Sequence, residues 1–124
     1  MNLVVRGAGQ GDRYDFAGAQ FVMKASGAQT SGQLAVMEMR CPAALDVPTH
    51  VQEGEDEMFY VLAGDLTGRC ADQRWSASPG AFVFLPRDTE HSFTVTSRSD
   101  AKILVVVGPP RFDAHIAERG AQSS

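Results

Sequence analysis

At 124 residues the chain is long enough for one domain with a single core, and too short for two domains of ordinary size. Hydrophobic residues make up 44% and charged residues 21%, an ordinary globular composition that disfavours disordered and fibrous readings. The net charge of −4 argues against a nucleic-acid partner, since phosphate binding needs a surplus of Lys and Arg on one face, and no apolar run is long enough to span a bilayer.

The chain opens on MNLVVRGAGQGD, a short apolar patch followed by glycines and charge, which is not the pattern of a secretory signal. Gly7, Gly9 and Gly11 hint at a dinucleotide loop. The third glycine of that motif would fall at Asp12, however, and no long helical pattern follows, so the stretch reads as a flexible approach to the domain. From residue 20 to residue 108, short apolar segments alternate with Gly, Pro, Asp and Ser turns. Gln33 to Cys41 has strand composition and stops at Pro42, and Thr49 to Gln52 is a short extended piece entered through Pro48. Glu57 to Gly64 is a strand rich in aromatic and β-branched residues, closed by Gly64-Asp65. Asp65 to Ala77 reads as a hairpin with Ala71-Asp72-Gln73 at its tip and Trp75 on the return strand. Ala81 to Pro86 follows the Pro79-Gly80 turn as a buried strand. His91 to Ser97 alternates, with His91, Phe93 and Val95 on one face, and Ala101 to Gly108 closes the series. Only the tail from Arg111 to Gly120 has a helical pattern, with Phe112 and Ile116 four apart as a stripe to dock on the strands. Many short strands at this spacing mean a sandwich or barrel, so the fold class is all-β with a short C-terminal helix at about 110–119.

Cys41 and Cys70 form no CxxC pair and no disulfide framework; they read as small buried hydrophobes, and the default setting is reducing and cytoplasmic. Neither a GxSxG elbow nor a phosphate-binding loop is present. The chemistry therefore rests on histidine and carboxylate. Of three histidines, His50 and His91 sit on strands. His50 and Gln52 leave the same face of an extended segment. After the polar turn Glu53 to Asp56, Glu57 opens a strand that folds back towards that face, and His91 enters from a later strand. Two imidazoles and one carboxylate on a barrel wall suit one divalent transition metal: Fe, Ni, Mn, Co, Cu or Zn. Glu53, Glu55 and Asp56 read as a solvated turn, and His115 as a surface residue. Met37, Met39 and Cys41 share one strand face, Glu38 and Arg40 the other, and one of these faces is expected to line a pocket. Phe59 and Val61 share parity with Glu57, and Phe93 shares it with His91. These three are candidates for an apolar substrate pocket and equally for plain core.

Two segments carry a family resemblance. PTHVQEGEDEMFYVLAG (Pro48 to Gly64) resembles the first cupin motif, with His50, Gln52, Glu57 and Gly64 on its two histidines, its glutamate and its closing glycine. PGAFVFLPRDTEHSFTV (Pro79 to Val95) resembles the second, with Gly80, Pro86 and His91 in place. The sequence departs from the pattern at Gln52, which replaces the second histidine, at Ala44 and Asp88, which replace glycines, and at Val95, which replaces an asparagine. Asp accepts a left-handed turn position, so Asp88 is expected to be silent. The resemblance covers nearly the whole chain and is greatest to the quercetin-dioxygenase-like group. It implies a double-stranded β-helix, or jelly-roll barrel, over one domain (1–124, barrel core about 20–108). It also implies a divalent metal on His50, Glu57 and His91 with Gln52 as a fourth ligand. Glu57 would serve as both ligand and general base, and two copies would pair as a homodimer. The expected function is metal-dependent dioxygenase-type oxidation of a small aromatic or enolic compound. The alternatives are non-redox isomerase, cyclase or dehydratase chemistry at the same metal, and non-catalytic binding of a small ligand.

Overall fold

In a computed structural model, residues 2–123 are described, and they form two antiparallel sheets and one helix. The strands are β1 (Arg13–Phe16), β2 (Ala19–Ala25), β3 (Ala35–Cys41), β4 (Asp46–Val51), β5 (Asp56–Ala63), β6 (Leu66–Cys70), β7 (Gln73–Ala77), β8 (Phe82–Leu85), β9 (Glu90–Val95), β10 (Ala101–Gly108) and β11 (Ala121–Ser123). Helix α1 spans Phe112–Arg119. A seven-stranded sheet has the order β11-β1-β2-β3-β10-β5-β8, and a four-stranded sheet the order β4-β9-β6-β7. This is the all-β arrangement with a short C-terminal helix that the strand pattern predicts, and the jelly roll that the cupin resemblance implies.

The period-2 alternation in the sequence becomes the inner wall of the barrel. Phe21 on β2, Met37 and Met39 on β3, Phe59 and Val61 on β5, Phe93 and Val95 on β9 and Ile103, Val105 and Val107 on β10 are all buried. The Met37–Met39–Cys41 face thus points inward, and Glu38 faces out between Lys24 and Lys102 at 3.3 and 3.0 Å. Glu57 and His91 occupy the same inward register as the apolar residues, where a polar side chain is costly without a partner. Both cysteines are free; Cys41 is buried and Cys70 partly so.

Tight turns aim the strands. Gly64 has φ +80, and a Cβ there would lie 2.6 Å from Ala101 Cα, so glycine is required on two counts. Asp88 adopts φ +61, the left-handed position expected of it, and its Oδ1 accepts the Gly54 N–H at 2.9 Å. Arg87 adds two side-chain bonds to Asp56, at 3.2 and 3.0 Å. The loop before β9 is thereby fastened to the loop before β5, which sets the relation between His91 and Glu57.

Three readings change. The glycine-rich start is no loose approach: Gly11 (φ +130) packs where a Cβ would meet Met23 O at 2.1 Å, and β1 pairs with β2 from Arg13. Strand pairing therefore begins ahead of residue 20, because Tyr14 and Phe16 pack against the core. The strand at β8 is not buried: it is a sheet edge, with Phe82 63% and Phe84 50% exposed and only Leu85 enclosed. Composition alone cannot distinguish an apolar edge strand from an apolar central one.

Candidate metal centre

His50 lies on β4 and His91 on β9, and the two are direct cross-strand partners. Pro48 interrupts the β4 ladder at a bulge between Val47 and His50, and its carbonyl lies 2.9 Å from His50 Nδ1. A carbonyl only accepts, so Nδ1 carries the proton and the lone pair is left on Nε2, the form a metal ligand needs. Glu57 comes from the opposite sheet, beside Val107 of β10. One ligand atom from each of His50, Glu57 and His91 lies within 4.8 Å of the other two, and the last two residues are buried.

Glu57 Oε1 is 3.5 Å from His91 Nε2, yet the pair is not an ion pair at neutral pH. Burial first, and the charge of Glu55 second, push Glu57 up to about 8, against the amide of Gln52, which favours the anion. Burial first, and His50 second, push His91 down to about 4, only partly offset by the Thr89 backbone. Both groups therefore favour their neutral forms. Neither ring nitrogen of His91 has a well-formed hydrogen bond, and Gln52 Oε1 is likewise buried without a partner. Buried acceptors without donors, beside a carboxyl short of positive charge, fit a divalent cation: it would engage the lone pairs and favour the carboxylate. The donor set is mixed nitrogen and oxygen, which suits a first-row transition metal.

Gln52 donates Nε2 to Glu55 Oε1 at 2.6 Å. Glu55 is itself only 3% exposed, which overturns its reading as part of a solvated turn. Its other oxygen accepts the backbone N–H groups of Arg111 and Phe112, the second at 2.8 Å. These partners lie far along the chain, so no local pattern in the sequence announces them.

A cavity of about 460 Å³ opens beside His50 and Gln52, walled by Phe16, Met39, Phe112 and His115, with Arg111 alongside. His115 faces this cavity, and its ring meets Phe16 edge-on at 5.3 Å. His115 is exposed, as its reading as a surface residue has it, and the docking of α1 also places it at the rim of this cavity. Phe59, Val61 and Phe93 are core instead: each is under 5% exposed, none lines the cavity, and Phe59 meets Phe93 edge-to-face at 5.3 Å. Strand parity gave their face correctly but not their depth along the barrel.

The fold and the His–Glu–His group define a small β-barrel with a candidate metal site. The chain matches the Cupin domain family over residues 37–107, and it belongs to that family. It is 29% identical over 100 residues to quercetin 2,3-dioxygenase of Bacillus subtilis, covering 81% of this chain but only 30% of that protein. Its fold is similar to that of KdgF from Halomonas sp. (TM-score 0.77, 18% identity, 92% of this chain and 99% of that one). It is also similar to a predicted oxalate decarboxylase from Thermotoga maritima (TM-score 0.74, 20% identity, 85% and 97%). Among the described residues no helix is long and apolar enough to cross a membrane.

Proposed function

We propose that the chain is a metal-dependent enzyme that oxidises a small aromatic or enolic compound with dioxygen. The observation that carries this reading is the convergence of His50 with the buried Glu57 and His91, with a largely apolar cavity opening beside His50. His50 Nε2, His91 Nε2 and a Glu57 oxygen would hold the ion, with Gln52 Oε1 as fourth donor. A bound transition metal supplies Lewis acidity and, for a redox-active ion, electron transfer to dioxygen. The protein's own residues do the rest. Phe16 and Phe112 exclude water and offer faces and edges to a planar substrate. With an ion bound, Glu57 would be held as the carboxylate, and in that form it would take a proton from a substrate hydroxyl and return it. The relationship to the quercetin dioxygenase supports an aromatic substrate.

A specific observation keeps a second reading in view. Gln52 is a neutral amide, a weaker donor than the imidazole it replaces, and a weakly held ion suits isomerase, cyclase or dehydratase chemistry without redox. In either case two copies are proposed to pair through the exposed apolar edge at Phe82 and Phe84.

The test is metal content by mass spectrometry on protein purified without a metal-affinity tag, alongside His50→Ala and His91→Ala. Near-stoichiometric metal that both substitutions abolish is expected; none after reconstitution with iron, nickel and zinc sinks the reading. Oxygen uptake by iron-loaded protein with flavonol or enol substrates separates oxidation from Lewis-acid chemistry.

A further inference from the structure

The hydrogen bonds of Glu55 join two parts of the molecule that the strands leave separate. One oxygen holds the Gln52 amide nitrogen, and the other holds the N–H groups of Arg111 and Phe112 at the start of α1. That helix has no side-chain cap of its own, since Arg111 at its N-cap makes no capping bond, so Glu55 fills the role from 56 residues away. A carboxylate can only accept, so Gln52 must turn its nitrogen to Glu55. Its oxygen is left buried, unpartnered and in the residue that lines the cavity beside His50. The same helix start carries Arg111 and Phe112 into the cavity wall, with His115 one turn on.

We propose that Glu55 is a positioning residue that couples the docking of α1 to the metal site through the orientation of the Gln52 amide. The proposal rests on the reading of Gln52 Oε1 as fourth donor. Metal affinity then depends on the seating of the C-terminal helix, and a ligand that presses on the Arg111–His115 wall changes metal affinity reciprocally.

Glu55→Gln tests this with nearly unchanged shape. The two helix N–H groups still require the one oxygen of the new amide, so its NH2 faces Gln52. Two NH2 groups cannot face each other, so Gln52 must turn over and present nitrogen to the site, where it cannot bind a cation. Binding of Co²⁺ alone, measured against a competing chelator, should weaken about tenfold or more in Glu55→Gln and in Gln52→Ala. In the Gln52→Ala background, Glu55→Gln should add almost nothing, and the visible Co²⁺ spectra of the two single variants should match each other. Loss of one negative charge would act equally in both backgrounds, so an undiminished effect of Glu55→Gln in Gln52→Ala overturns the proposal. So does a wild-type affinity and spectrum in Glu55→Gln. If Glu55→Gln does not fold, hydrogen exchange at the Phe112 amide decides. Co²⁺ should slow it in the wild type but not in Gln52→Ala, and equal slowing in both overturns the coupling. Wild type that binds no Co²⁺ instead defeats the metal reading itself.

Discussion

Loading the site with a divalent ion should release close to one proton at pH 7. In the metal-free protein Glu57 is pushed up to about 8, so one unit lower its carboxyl is about nine-tenths protonated. His91, pushed down to about 4, has no proton to give up there. An ion bound by the Glu57 carboxylate displaces that proton, so apparent affinity should rise about tenfold between pH 6.5 and 7.5 and flatten above about 8. The stability of the metal-free protein runs the other way. The pKa of Glu57 is raised on folding above its ordinary 4.5, so its contribution to stability is complete below that value. The contribution is lost as pH rises through about 8, at up to about 1.4 kcal/mol per pH unit. Calorimetric titration with Zn²⁺ in buffers of differing ionisation enthalpy counts the proton, and melting curves of stripped protein from pH 5 to 8 give the slope. Glu57→Gln should flatten the melting dependence and remove the proton release. A release near zero at pH 7 in the wild type would refute the reasoning, because it would mean that Glu57 is already ionised when the metal is absent.

Ile116→Ala should cost about 2–5 kcal/mol in chemical denaturation, since the side chain is fully buried and anchors α1; a loss below about 1 kcal/mol would mean the helix is not held there. Gly68→Ala places a Cβ 2.4 Å from both Ser92 O and the Trp75 ring. It should destabilise by about 1–3 kcal/mol and shift the fluorescence of the single tryptophan, and an unchanged spectrum would count against that contact. Phe82→Ser with Phe84→Ser should convert a dimer to a folded monomer by light scattering; a monomeric wild type removes the pairing proposal.

The sequence is informative where physical chemistry acts over a few residues. Alternation places Phe93 and Val95 with His91, and Phe59 and Val61 with Glu57, and all are buried on the facing inner walls of the two sheets. Asp88 at φ +61 follows from the local tolerance of Asp for a left-handed turn. His50, Glu57 and His91 stand out as polar residues on strands, and Gln52 joins them because the four fall on the spacing of the two cupin motifs. Where partners are distant, that legibility ends. Glu55 sits in a run of acidic residues that looks solvated, and its burial depends on N–H groups near residue 111. His115 is the surface residue it looks like, but its place beside the cavity depends on the docking of Ile116, which no local pattern ties to the site.

The two kinds of residue also divide the work of the site. The strand residues His50, Glu57 and His91 would supply the donor atoms, and the sheets fix their separation. On the proposed reading, residues whose place at the site the pattern conceals, Glu55, Arg111 and His115, would influence what reaches those donors and how the Gln52 amide is turned. A change in substrate or in ion preference can therefore arise in the C-terminal helix while every motif residue stays as it is. Substitutions in α1 that keep Ile116 buried should alter ligand choice more than stability, whereas substitutions at the motif histidines should abolish metal binding and leave the barrel standing.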